Sequence, residues 1–219
     1  MLMSPSVRKF SLTAHVLSSV GWVGALAVFL AHSIVSVASH DVQLVRAACL
    51  AMGLTAWFVI LPFSLVSLAT GLLQALGTAW GLFRHYWVFV KLLLTLVATG
   101  VLLLKLAPIE SLAAGAATLS FTSTTLLELK ASLLVHAGAG LVVLLIAAIL
   151  AIYKPAGFTP LGAKLLREQH LDGPRKDDPQ PNAPRWVKLS GAVGAFLVLL
   201  AILALVHSGH GPTAHLPHG

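Results

Sequence analysis

Residues 131–153 read ASLLVHAGAGLVVLLIAAILAIY, without a single Asp, Glu, Lys or Arg. About 20 apolar residues in a row is the length at which an α-helix crosses the hydrocarbon core of a bilayer. The stretch does not alternate apolar and polar residues with period two, so it does not read as a transmembrane strand. Only helices and closed barrels satisfy the backbone in lipid, and helices remain. Working outward, four more stretches qualify: residues 11–37, 49–73, 87–106 and 187–206. The composition agrees, with 58% hydrophobic and 10% charged residues over 219 positions and a mean hydropathy of +0.92. Soluble domains carry about a quarter charged residues. The expected fold is therefore all-α: a polytopic membrane protein with a four-helix transmembrane bundle plus a fifth C-terminal transmembrane helix. The bundle occupies 1–153, a cytoplasmic proline-rich linker 154–186, the fifth helix 187–207, and a histidine-rich outer tail 208–219.

The positive-inside bias sets the expected orientation. With the N-terminus inside, the inner side holds Arg8, Lys9, Arg84, Lys154, Lys164, Arg167, Arg175, Lys176, Arg185 and Lys188. Lys91, able to snorkel back past Trp87, makes eleven. Arg46, Lys105 and Lys130 remain outside, completing the fourteen basic residues. The net charge of +7 then reads as topology, with the C-terminus outside and the chain in a bacterial inner membrane. Nucleic acid is not an expected partner. The bilayer is, along with a membrane-protein partner or a second copy of the chain. Cys49, the one cysteine, lies in an apolar stretch and excludes a disulfide scaffold. The first span is too long for the apolar core of a cleaved signal peptide, which runs about 7–15 residues.

The connections carry their own signals. Residues 77–87 form a tight inner turn with aromatics at interface depth. Residues 108–125, rich in Ala, Ser and Thr, read as a longer outer connection that suits the interface. Thr125 and Glu128 have capping-box spacing at the start of the fourth helix. Six prolines between 155 and 184, with the mixed-charge run 175–178, make the linker one that buries little.

Polar side chains in a span are costly, and are candidates for function by default. His15 lies about a turn inside the first helix, and His32 is about 25 Å further along it at 1.5 Å per residue. His85 sits at the inner interface, and His136 about 9 Å below the outer surface. Ligands of one iron or metal must share a depth, which pairs His15 with His85 on the inner side and groups His32 with His136, and with His207 as a further candidate, on the outer side. Neutral imidazole suits haem iron, copper and zinc, and equally a hydrogen bond across a helix interface. Ser18, Ser19, Trp22 and Leu26 share the side of His15 at helical spacing. Gly21, Gly24 and Ala25 admit a neighbouring helix. Lys91, about a turn into the third helix, either snorkels or pairs with an anion such as a haem propionate. Lys105, Glu110, Glu128 and Lys130 read as a solvated outer ring of opposite charges. Ser132 and His136 continue from Glu128 on one drifting helix face. His207, His210, His215 and His218 form a tail able to hold Zn or Cu weakly. No phosphate loop, Cys-x-x-Cys pair, nucleophile elbow or in-span carboxylate pair is present.

Two stretches resemble known families. His15 through Gly24, a histidine with a tryptophan seven residues later and then small residues, is similar to the first helix of HemJ-type protoporphyrinogen oxidases and CopD-type copper-resistance proteins. The resemblance implies a first-helix histidine that binds haem b or metal, and carries over only to His15. The proline–arginine pair of the HemJ type has no counterpart in residues 25–31. Trp80 through Lys91 more closely resembles an uncharacterised bacterial integral membrane family with a WGL…WV..K signature opening the third helix. That similarity spans residues 10–153 and implies no activity.

Two functional readings follow. In the first, span histidines bind haem b or a transition metal, copper or zinc, for electron transfer or for haem or metal handling. In the second, the chain is a non-catalytic structural or accessory membrane subunit with no cofactor. A small-solute or ion transporter has less support, since no inverted repeat of the transporter kind is visible.

Overall fold

A computed structural model describes residues 3–77, 85–117, 124–154, 159, 160 and 164. Within them the chain is an all-α four-helix bundle, with α1 (Pro5–Ala38), α2 (Val42–Thr55), a π-helical turn (Ala56–Ile60), α3 (Leu61–Gly77), α4 (Tyr86–Ala117) and α5 (Thr124–Tyr153). The turn joins α2 and α3 into one rod. Pro5–Ala38, Val42–Gly77, Tyr86–Ala117 and Leu126–Tyr153 are each long and apolar enough to cross a membrane. The outward faces agree: Phe10, Phe58 and Ile152 are about three-quarters exposed, a surface suited to lipid and not to water. The expected fifth span and the histidine tail lie outside the described residues, as does nearly all of the linker.

Local chemistry explains the ends. The Ser4 hydroxyl accepts from the Val7 amide, with Pro5 in the first turn where its missing N–H costs nothing. The Asp41 carboxylate accepts from the Gln43 and Leu44 amides and starts α2. The π turn closes where the Leu61 N–H reaches the Ala56 carbonyl, just before Pro62. Pro62 has no N–H to donate and its ring would press on the carbonyl four residues back. Widening the preceding turn accommodates both.

The main departure from expectation is α4. Pro108 does not end it; the helix runs on to Ala117, and only residues 118–123 separate it from α5. One proline removes one intrahelical bond. Ile109, Leu112 and Ala116, at i, i+3 and i+7, bury themselves in the core and hold the extension in place. Gly53 makes room for it: a Cβ there would stand 3.0 Å from the Ala113 Cβ. The Arg46 guanidinium donates to the Ala117 carbonyl at 3.1 Å and caps the end.

In cross-section α1 packs on α2, α3 and α5, while α4 packs on the same three. Among these elements α1 lies diagonally opposite α4, and the α2–α3 rod opposite α5. The buried face of α1 steps 11, 15, 18, 22, 25, 29, 33, 36, near the 3.5-residue repeat of helices packed side by side. Trp22, Phe29, Met52, Ile60, Leu112 and Leu133 fill the middle of the bundle. Near the N-terminus of α1 the apolar filling gives way to polar residues.

Candidate functional site

Four helix ends meet where α1 and α4 begin and α3 and α5 finish. They enclose a vestibule of about 560 Å³, within the roughly 300–1,000 Å³ of small-molecule sites. Arg8, Lys9 and His15 line it from α1, Ser67, Gly71 and Gln74 from α3, and Trp87, Lys91 and Thr95 from α4. Ala151 and Ile152 of α5 and the following Lys154 complete the wall. Lys154 has φ 42°, and its N–H reaches the Leu150 carbonyl at 3.1 Å. This left-handed residue ends α5 and sets a cation beside the mouth. Between the cations run the apolar side chains of Leu12, Val16, Leu68, Val88 and Leu92.

His15 is 8% exposed and bonded on both ring nitrogens. Nδ1 lies 3.0 Å from the Ser67 carbonyl and 3.1 Å from the Thr70 hydroxyl. A carbonyl only accepts, so Nδ1 carries the proton and Nε2 holds a lone pair. Lys91 Nζ stands 2.9 Å from Nε2 and donates to it. The lysine side chain thus crosses the bundle to the diagonal helix instead of snorkelling outward past Trp87. The ring lies against Gly71, where a Cβ would come within 3.1 Å of His15 Cε1. Further ties run along the α1–α3 seam, Ser19 to Ser67 at 2.8 Å and Gln74 to the Ser11 carbonyl at 3.1 Å.

The other candidates are placed as follows. His85 packs its ring on Trp87 at 6.4 Å and is not among the residues lining the vestibule. His136 Nδ1 donates back to the Ser132 carbonyl, one turn earlier, at 2.6 Å. Fifteen residues before Ala151, it sits about 22 Å along α5 from the vestibule. His32 Nδ1 is buried with no hydrogen bond to any described residue. Among the described residues no three His, Cys, Asp or Glu side chains gather to hold a metal ion. His207, His210, His215 and His218 lie outside them. The expected solvated charge ring takes a different form. Lys105 and Lys130 are 4% and 8% exposed, and Lys105 donates to the Ser132 hydroxyl at 3.4 Å. Glu110 and Glu128 are exposed. The two lysines sit on inward faces of α4 and α5, so helix phase decides their burial.

Ser67, Thr70, Gly71 and Gln74, which build half of the His15 setting, were not singled out from sequence. Their signal was spacing: small and polar residues at i, i+3, i+4 and i+7 in an otherwise apolar helix. No protein-family model, curated protein or solved structure matches this chain.

Proposed function

We propose that the protein binds an anionic, largely apolar cofactor of the haem b kind in the vestibule, where His15 would be the iron ligand and the cations would hold the propionates. The setting is a bacterial inner membrane with the N-terminus and the vestibule on the cytoplasmic side, consistent with the basic bias. One observation carries the reading: His15 donates Nδ1–H to a backbone carbonyl and presents its Nε2 lone pair where Lys91 now caps it. A bond from the far ring nitrogen to a backbone carbonyl is the usual way a protein fixes the tautomer and aim of a metal-ligating imidazole. Lys91 Nζ marks the spot where an electron-pair acceptor meets Nε2. Releasing it would free the nitrogen for iron and the ammonium for a carboxylate. The iron would supply one-electron chemistry; Arg8, Lys9, Lys91 and Lys154 would supply the anchoring charge.

A second reading, an accessory subunit without cofactor, has its own support. Both His15 nitrogens are already satisfied, and a Cβ added at Gly24, Gly100 or Gly138 would meet nothing within 4 Å. Glycines open to lipid are where a partner helix packs closely. An absorption spectrum with metal analysis of protein purified in detergent separates the two. The cofactor reading expects a Soret band that disappears in His15→Ala and persists in His136→Ala. A colourless, metal-free preparation from haem-replete cells would sink it and leave the accessory role.

A further inference from the structure

We infer that the vestibule is a selective site for an apolar organic anion, a carboxylate or phosphate monoester on a medium-length chain, with the oxyanion on Lys91. The inference shares with the cofactor reading a filled vestibule and Lys91 as an oxyanion partner; it does not need iron or a tetrapyrrole.

Three observations converge. The first is an unmatched cation. An ammonium has three N–H donors, and among the described residues Lys91 Nζ has one acceptor, His15 Nε2. The second is charge of one sign. Arg8, Lys9, Lys91 and Lys154 line the cavity, and among the described residues no carboxylate lines it. Asp41, Glu110 and Glu128, the carboxylates within the described residues, belong to the opposite end of the helices. The third is the wall itself, which apart from the cations is mostly apolar, with Leu12, Val16, Leu68, Val88 and Leu92 among its residues. A small hydrated anion would gain nothing from that wall, and a neutral chain would leave the ammonium unpaired. An anion with a hydrocarbon body satisfies both. His15 positions the ammonium: its own Nδ1–H bond to α3 keeps Nε2 an acceptor, which anchors Nζ near the bundle axis.

The test uses the full-length protein, freed of any haem, in phosphatidylcholine nanodiscs. Tryptophan fluorescence is followed on titration with octanoate, octyl phosphate, octanol and inorganic phosphate, with Trp87→Phe as the signal control. Saturable binding of octanoate and octyl phosphate is expected, at least about tenfold tighter than octanol or inorganic phosphate. A charge-assisted bond is strong enough for that factor. Lys91→Gln is expected to lose about tenfold or more, Lys91→Arg to retain most of the affinity, and Arg46→Gln at the other end to change nothing. Equal binding of octanol, equal binding of inorganic phosphate, or an unchanged Lys91→Gln would each overturn the proposal. Repeating the titration in phosphatidylglycerol discs assigns the source. Competition there marks a lipid headgroup as the natural anion, and its absence marks a soluble one. A Soret band in cells with no octanoate binding in the stripped protein would refute this site and spare the cofactor. Binding by a protein that never acquires the band would do the reverse.

Discussion

His15→Leu is expected to destabilise the bundle by about 2–3 kcal/mol, although the replacement is apolar and similar in bulk. A hydrogen bond to a charged group contributes roughly 1.5–3 kcal/mol, and removing one partner leaves the other's desolvation uncompensated. Full burial would raise the cost to about 3–5 kcal/mol. The vestibule opens to solvent, which keeps the expected value below that. Lys91→Met alone leaves a neutral imidazole with one idle lone pair, and about 1 kcal/mol is expected. The informative variant is the double one. With both partners apolar the ammonium is no longer orphaned and the remaining loss is the His15 Nδ1–H bond to the Ser67 carbonyl, so its stability is expected within about 1 kcal/mol of the parent. The cycle is measured by unfolding in mixed dodecyl maltoside and SDS micelles, where coupling of the two sites shows as non-additivity. Strictly additive losses would mean that the 2.9 Å contact contributes nothing to stability.

Leu112→Ala is the second large effect, expected at about 3 kcal/mol in the same assay. Leu112 has no exposed surface and lies in the central cluster with Ile109 and Ala116. Truncating a buried leucine leaves a cavity and costs about 2–5 kcal/mol in closely packed proteins. This result also decides an architectural question. Were 108–125 an interfacial connection, the substitution would fall on a wetted surface and cost a few tenths of a kcal/mol. A loss that small would return the segment to the loop its proline first suggests.

The two cases show where sequence is informative about this fold. Spans could be counted because hydropathy is a property of each stretch alone. His15 and Lys91 stood out for the same reason, as polar groups in apolar surroundings. Their contact could not be read off. They are 76 residues apart on diagonal helices, and the circular order of helices leaves no trace in a hydropathy profile. Ser67 and Thr70 were invisible one by one because hydroxyls in a membrane helix usually bond back to their own backbone, as Thr70 does to Val66. Their importance lies in a carbonyl and a glycine that any sequence can supply. Pro108 misled for a different reason. In water a proline is a credible stop, whereas in a packed bundle neighbouring side chains hold the helix through it.

The widened turn at Ala56–Ile60 has a consequence for timing around the helix axis. The inward positions Met52, Ala56, Ile60 and Ser64 follow one another at four-residue steps. Each such step overshoots a full α-helical turn by about 40°, so three in succession would carry α3 well round the rod. The π turn spends one residue more per revolution and resets the clock. Everything after it, including the Ser67 carbonyl that holds His15, depends on that reset. Inserting one alanine after Val59 would add a residue beyond the one the turn absorbs, rotate the rest of the rod by about 100° and swing the acceptor off the seam. The expected readout is loss of the stabilising coupling between positions 15 and 91 while the protein still inserts with four spans. Retention of that coupling in the insertion variant would show that α3 finds its phase without help from the turn.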